Sequence, residues 1–437
     1  MTSHGGRVGI VALISVLAVA CGGTVPSRTP SQARPTSSPS SVPSSTPDSS
    51  PTSPAQTSSP SADPTGTPVP QEGWVQLAAA ADASARWSPD AQFILVALST
   101  PGGPPETNQV QLLTRDGVLI RTHEQLSDPV WMDSQSFVAY RLEWEQDESG
   151  EWAPVTGPNG ERMGQAAVGS VVSDQLLGWD MPLGPALSNG SGALAISRFD
   201  GAGLPETAVW AEDSSLSDWL PGAPLTWSAT GDRLALVHPR QSGPAGEGWL
   251  EVVEWPGLTT IWSDESLSLS TAEFDPGGTR LAYPEFVERP RVPRQVPEFD
   301  LIVNVVELAT GTVSQVPAPE NGDFAWLSDD RLLTVGFESL QASVLDLSGE
   351  ILAQESVIGP NVIASADGQT ALFYDAELDE PQMQILRGDE LTLLESPGLI
   401  TGQAPQMARD GTGVLVVVRA ETSSPTGSPA TVLLHNL

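Results

Sequence analysis

Eight segments of this chain repeat one pattern, and that repetition limits the possible folds more than any other feature. They begin at Ala85 (ARWSPDAQFILVAL), Pro129, Pro185, Leu225, Ala272, Phe324 (FAWLSDDRLLTVGF), Val362 and Pro405. The shared position holds Trp87, Trp131, Leu187, Trp227, Phe274, Trp326, Ala364 and Met407, at spacings from 38 residues (Trp326 to Ala364) to 56 (Trp131 to Leu187). In each copy a short apolar segment ends at that residue. A turn rich in Ser, Asp, Gly and Pro follows, because those residues accept turn geometry. Then comes a near-continuous apolar run such as Phe93 to Leu98 or Val414 to Val418, the pattern of a strand buried on both faces.

Each copy continues into a second hairpin. In the first, Val110 to Leu113 and Val118 to Arg121 flank Asp116-Gly117, a strong hairpin turn. Four strands in about 45 residues predict an all-β chain folded as a β-propeller of eight four-stranded blades. Ala364 and Met407 are the weakest matches, and a seven-bladed ring is the alternative. The last copy supplies three strands, within Gln406 to Ala408, Gly413 to Arg419 and Ala430 to Asn436. An unassigned apolar segment, Trp74 to Ala78, precedes the first copy. Placed as the outer strand of the last blade, it closes the ring and removes two open sheet edges. The Trp of each repeat is read as blade-to-blade packing rather than a carbohydrate platform.

The Trp87-Ser88-Pro89-Asp90 sequence followed by an apolar strand resembles the TolB-type, WD-like propeller repeat. The resemblance spans nearly all of residues 71–437. It implies the fold and leaves the function open, since such blades serve as scaffolds, binding platforms and accessory domains of peptidases.

Upstream of the repeats the composition changes twice. Residues 1–20 carry Arg7 and the uncharged run Val8 to Ala20, too short at ~1.5 Å per residue to cross a ~30 Å hydrocarbon core as a helix. This reads as a secretory signal. It ends Ala18-Val19-Ala20-Cys21, which resembles a bacterial lipobox; the resemblance implies a diacylglycerol on Cys21, the only cysteine of the chain. With one cysteine, an intramolecular disulfide and a Cys-based zinc cluster are both excluded. From Thr24 to Pro70, 34 of 47 residues are Ser, Thr or Pro and none is aromatic, Leu or Ile, so the segment has too little apolar surface to offset its chain entropy. The expected organisation is a signal peptide (1–20), a lipidated Cys with a disordered tether (21–70) and the propeller (71–437). The expected location is the outer face of the cytoplasmic membrane, with the lipid as the sole membrane contact.

The chain has 54 Asp and Glu against 19 basic residues, all Arg. Only Asp48, Asp63, Arg7, Arg28 and Arg34 lie before residue 71, so the globular part holds 52 acids and 16 Arg, a net charge of −36. Such a surface repels phosphate backbones, which argues against nucleic-acid binding.

Enzyme signatures are sparse. There is no Gly-x-Ser-x-Gly elbow, no Asp-x-Asp-x-Asp-Gly calcium loop and no phosphate-binding Gly loop. His123, His238 and His435 fall in three repeats without metal-ligand spacing, and each reads as a solvated or satisfied strand residue. The expectation is therefore a monomeric, cofactor-free scaffold that binds a protein or a glycan, with calcium left open. The alternatives are a lactonase- or hydrolase-type propeller with an axial metal site and an envelope-assembly factor in the manner of TolB. In the expected topology the turns between first and second strands are tight, whereas the connections between second and third strands are long and varied, the usual place for binding. One of them carries Arg289, Arg291 and Arg294, the candidate binding residues. Two others are acidic, Arg141 to Trp152 and Tyr374 to Pro381.

Overall fold

The computed structural model describes residues 73–437 except 147–149, 158–161, 180–182, 212–214, 240–246, 269–270, 289–298, 320, 376–381, 389, 396–398, 401–402 and 420–429. Cys21, the tether and the three candidate arginines lie outside the described residues. Among those described, no helix is long and apolar enough to cross a membrane.

Eight antiparallel sheets follow one another along the chain, each built from four main strands in meander order. We call these strands a to d from the axis outward. The a strands are Asp82–Trp87, Ser127–Trp131, Ala186–Ser188, Ala223–Trp227, Glu273–Phe274, Gly322–Ser328, Asn361–Ala364 and Gln406–Met407. The ring is an eight-bladed propeller, and the seven-bladed alternative is set aside. The d strand of blade 8 comes from the other end of the chain. Trp74–Ala80 pairs antiparallel with Ala430–Asn436, from Trp74 opposite His435 to Ala80 opposite Ala430.

The core is a series of apolar layers between neighbouring blades. The b strands are buried on both faces, as their unbroken apolar runs require: Ile94, Leu95 and Val96 are all buried, Ile94 and Val96 packing toward blade 8 and Leu95 toward blade 2. Trp74 closes the layer between blades 7 and 8 with Leu372, Met383 and Val416.

Three of the four repeat Trp residues also form inter-blade hydrogen bonds, and the buried Nε1 of the fourth, Trp87, has no partner. The indole Nε1 of Trp131 donates to Arg86 O at 3.2 Å, Trp227 to Leu187 O at 2.9 Å and Trp326 to Glu273 O at 3.0 Å. Each of the three thus ties its blade to the a strand of the preceding one. The pairing register corrects one sequence alignment. Trp87 faces Ile94 and Trp227 faces Leu234; the residue facing the matching Leu194 is Ser188, not Leu187. Ser188 takes the Trp position of blade 3 and donates Oγ to Met132 O at 3.1 Å. A small side chain there hides the repeat from a search for large residues.

Candidate functional site

Because every blade alternates strand direction, all b–c connections leave from one face of the ring and all a–b turns from the other. The a–b turns are pinned by local bonds. In blade 1, Ser88 Oγ donates to Asp90 Oδ1 at 2.7 Å and accepts Phe93 N–H at 2.9 Å. Ser365 repeats both bonds in blade 7, to Asp367 Oδ1 at 2.6 Å and from Thr370 N–H at 3.0 Å.

The b–c connections are longer and less regular. In blade 2 the acidic segment, read from sequence as a loop, contains a two-stranded hairpin, Trp144–Gln146 with Trp152–Pro154. It leans on the blade 1 connection, where Trp152 N–H donates to Gly102 O at 3.2 Å. Glu143, Glu145 and Glu151 are described on it; Asp147 and Glu148 are not. Arg289, Arg291 and Arg294 belong to the blade 5 connection. Its bounding strands, Arg280–Glu288 and Phe299–Glu307, finish with Glu288 opposite Phe299 on this same face. The second acidic segment follows Tyr374, which pairs with Met383 at the corresponding end of blade 7.

The axis is charged on opposite walls. Arg86 and Glu273 each precede the shared position of their a strands, in blades 1 and 5. Four blades of eight separate them, so they stand across the ring. Asp128 and Asp323 each lie three residues before their repeat Trp, in blades 2 and 6, and form a second opposed pair. Asp128 sits on a bulge between Ser127 and Val130 with φ 48° and is ion-paired to Arg162. Arg86 is exposed to solvent yet closely surrounded by protein, and this desolvation lowers its pKa against the raising effect of Asp128.

On the far wall, the two acids bond to the blade after their own. Asp323 Oδ2 accepts Val362 N–H of blade 7 at 3.1 Å, and its Oδ1 accepts Phe324 N–H at 2.9 Å. The Glu273 carboxyl accepts the backbone N–H of Trp326 in blade 6. Burial pushes Asp323 up to about 6 despite those bonds. It pushes Glu273 up to about 8, with repulsion from Asp323 adding to the rise. The repulsion falls on Glu273 because Asp323 is already ionised where Glu273 titrates. On the blade 8 side, Gln403 brackets blade 1: its Nε2 donates to Ala85 O at 2.8 Å, and its Oε1 accepts Ala85 N–H at 3.2 Å.

Comparison with known proteins gives distant structural likeness only. No protein-family model matches the chain, and no curated protein aligns with it. Among solved structures the chain is similar to a eukaryotic initiation factor at 12% identity, covering 80% of this chain and 85% of that one with a TM-score of 0.48. It is similar to an oligogalacturonate lyase from Vibrio parahaemolyticus at 10% identity, with 83% and 93% covered and a TM-score of 0.47. A third is BamB from Moraxella catarrhalis, at 10% identity, 82% and 99% covered, and a TM-score of 0.45.

Among the described residues, no group of three or more His, Cys, Asp or Glu side chains is placed to hold a metal ion. Of the axial acids, Asp323 and Glu273 bond to backbone N–H groups and Asp128 pairs with Arg162, which gives them structural tasks. The three histidines among the described residues fall in blades 1, 4 and 8. His238 is buried, stacks on Trp249 with centroids 4.4 Å apart and meets Glu251 Oε2 at 2.8 Å. His123 and His435 are held below the usual imidazole range by burial, and each has one ring nitrogen without a partner. The axial groups had one sequence signal, ionisable residues one and three places before the repeat position. Bulges and short a strands blur it.

Proposed function

We propose that this chain is a surface lipoprotein, anchored by diacylglycerol on Cys21, whose propeller is a non-catalytic platform for a protein or glycan partner. The observation that carries the reading is the polarity of the ring. The b–c connections, with Arg289, Arg291 and Arg294 and both acidic segments, start and finish on one face. The first described strand, Trp74–Ala80, begins on the opposite face, beside His435. The chain therefore enters the ring on the face away from the elaborated connections. A mixed-charge rim on a rigid ring suits selective, electrostatically steered capture. Catalysis is not part of the reading, because Asp323 and Glu273 accept from backbone N–H groups and Asp128 is ion-paired to Arg162.

Two measurements test it. Cys21→Ser is expected to move the protein from the membrane fraction to the soluble fraction and to lose metabolic palmitate label. A variant that stays bound and labelled removes the anchor. Replacing Arg289, Arg291 and Arg294 together by Ala is expected to abolish partner capture from intact cells with the melting temperature unchanged. Undiminished capture takes those residues out of the site.

A further inference from the structure

We propose that a cavity in blade 6, opening on the b–c face, binds one uncharged sugar ring. The inference rests on the binding-platform reading and names a ligand class for one part of that face.

The cavity measures about 170 Å³. At ~30 Å³ of liquid volume per water it holds about six waters, the room that one sugar ring needs. Its floor is a row of paired residues on three adjacent strands: Thr334 faces Ser343, and Ser343 faces Gln354. The row lies on the same side of the sheet as Phe324, which packs against blade 5. Gln341 and Ser339 carry the lining to the b–c turn, and Pro319, in the connection from blade 5, closes one side.

The chemistry of the lining selects the ligand. In a chain with 54 acids and 19 Arg, none of the residues lining this cavity is ionisable. Three hydroxyls and two carboxamides stand there instead. A hydroxyl both donates and accepts, and a carboxamide presents a donor and an acceptor side by side. That combination matches vicinal sugar hydroxyls, which also do both, and offers no counter-charge to an anion or a cation. Part of the set is pre-oriented: Gln354 Nε2 donates to Ser343 Oγ at 3.0 Å, leaving the Gln354 Oε1 side to a ligand. Glu338, on the b–c turn beside Ser339, disfavours an acidic sugar.

The test is saturation-transfer NMR on the full globular chain with glucose, galactose, mannose and arabinose, their disaccharides, and galacturonic acid as the charged control. At least one neutral sugar is expected to show transfer, and galacturonic acid none. Gln341→Leu and Gln354→Leu are expected to weaken that sugar at least tenfold, with thermal melting unchanged. Ser339→Ala supplies a second readout should either Leu variant fold poorly. The Arg289, Arg291 and Arg294 triple variant is expected to keep the sugar signal, since the cavity lining includes none of those residues. Absence of transfer from every neutral sugar overturns the proposal, as does full transfer in the variants or equal transfer from galacturonic acid. Loss of partner capture in the triple variant, with no sugar binding by the parent, refutes the cavity and leaves the platform standing.

Discussion

A chain lacking Trp74–Ala80 is expected to lose cooperative unfolding and to aggregate, although about 360 residues and seven complete blades remain intact in its sequence. The segment pairs with Ala430 through His435, so its removal leaves the third strand of blade 8 as an open edge. Its removal also leaves a gap between blades. Trp74 is 6% exposed and packs among residues of blades 7 and 8, while Leu77, Ala78 and Ala80 pack in the layer between blades 8 and 1. Trp74→Ala alone is expected to cost about 3–5 kcal/mol, the usual range for emptying a large aromatic site. That is a large part of the ~5–15 kcal/mol by which a folded domain is stable. The deletion removes this contact together with the strand pairing, and ring closure is what holds blade 1 against blade 8. Urea denaturation followed by circular dichroism, with size-exclusion chromatography of the native state, checks both variants. A deletion with an unchanged midpoint and a single monomeric peak would show that closure contributes nothing.

The strand that closes the ring was visible in the sequence for a simple reason. A propeller needs four strands per blade, the last copy shows three, and one apolar segment remained unassigned. The blade count was legible on the same basis, because a b strand buried on both faces must be written as an unbroken apolar run. Legibility stopped where function depends on register. Ser188 takes the Trp position of blade 3, and only the pairing with Leu194 reveals it. The hairpin inside the acidic connection of blade 2 is three residues per strand, too short to show periodicity. The cavity of blade 6 is formed by residues 9 and 11 positions apart along the chain, Thr334 with Ser343 and Ser343 with Gln354. Their shared side of the sheet is a property of pairing, and each alone is an ordinary strand residue. The opposition of Arg86 to Glu273 likewise needs the closed ring of eight, since nothing between positions 86 and 273 marks them as facing each other.

Glu273→Gln is expected to stabilise the propeller at alkaline pH and to change little near pH 4. Glu273 accepts the backbone N–H of Trp326, a bond that the carboxamide oxygen of Gln keeps, so the substitution isolates the charge. In the folded chain the group titrates at about 8, and its ordinary value is 4.5. Between those values the folded state holds a proton that the unfolded state has released. Stability contributed by this group therefore falls as pH rises through the window, and the full penalty is present above about pH 8. Each pH unit across that window is worth about 1.4 kcal/mol, and water reaching the half-buried side chain reduces the total, so a gain of about 2–4 kcal/mol is expected at pH 8.5. Asp323, raised to about 6 from 3.8, acts with the same sign at lower pH, in the window between those values. His123 and His435 act oppositely. Both are depressed by burial, so their contribution is present above 6.5 and is lost as pH falls from there through their folded values. The parent profile mixes these slopes, and the difference between parent and Glu273→Gln removes everything except Glu273. Urea midpoints at half-unit steps from pH 4 to 9 give that difference directly. A gap that opens between pH 5 and 8 and then levels off supports a carboxyl held neutral at the axis. A constant gap, or none, means that Glu273 is ionised in the folded ring and that the axial wall carries its charge in full.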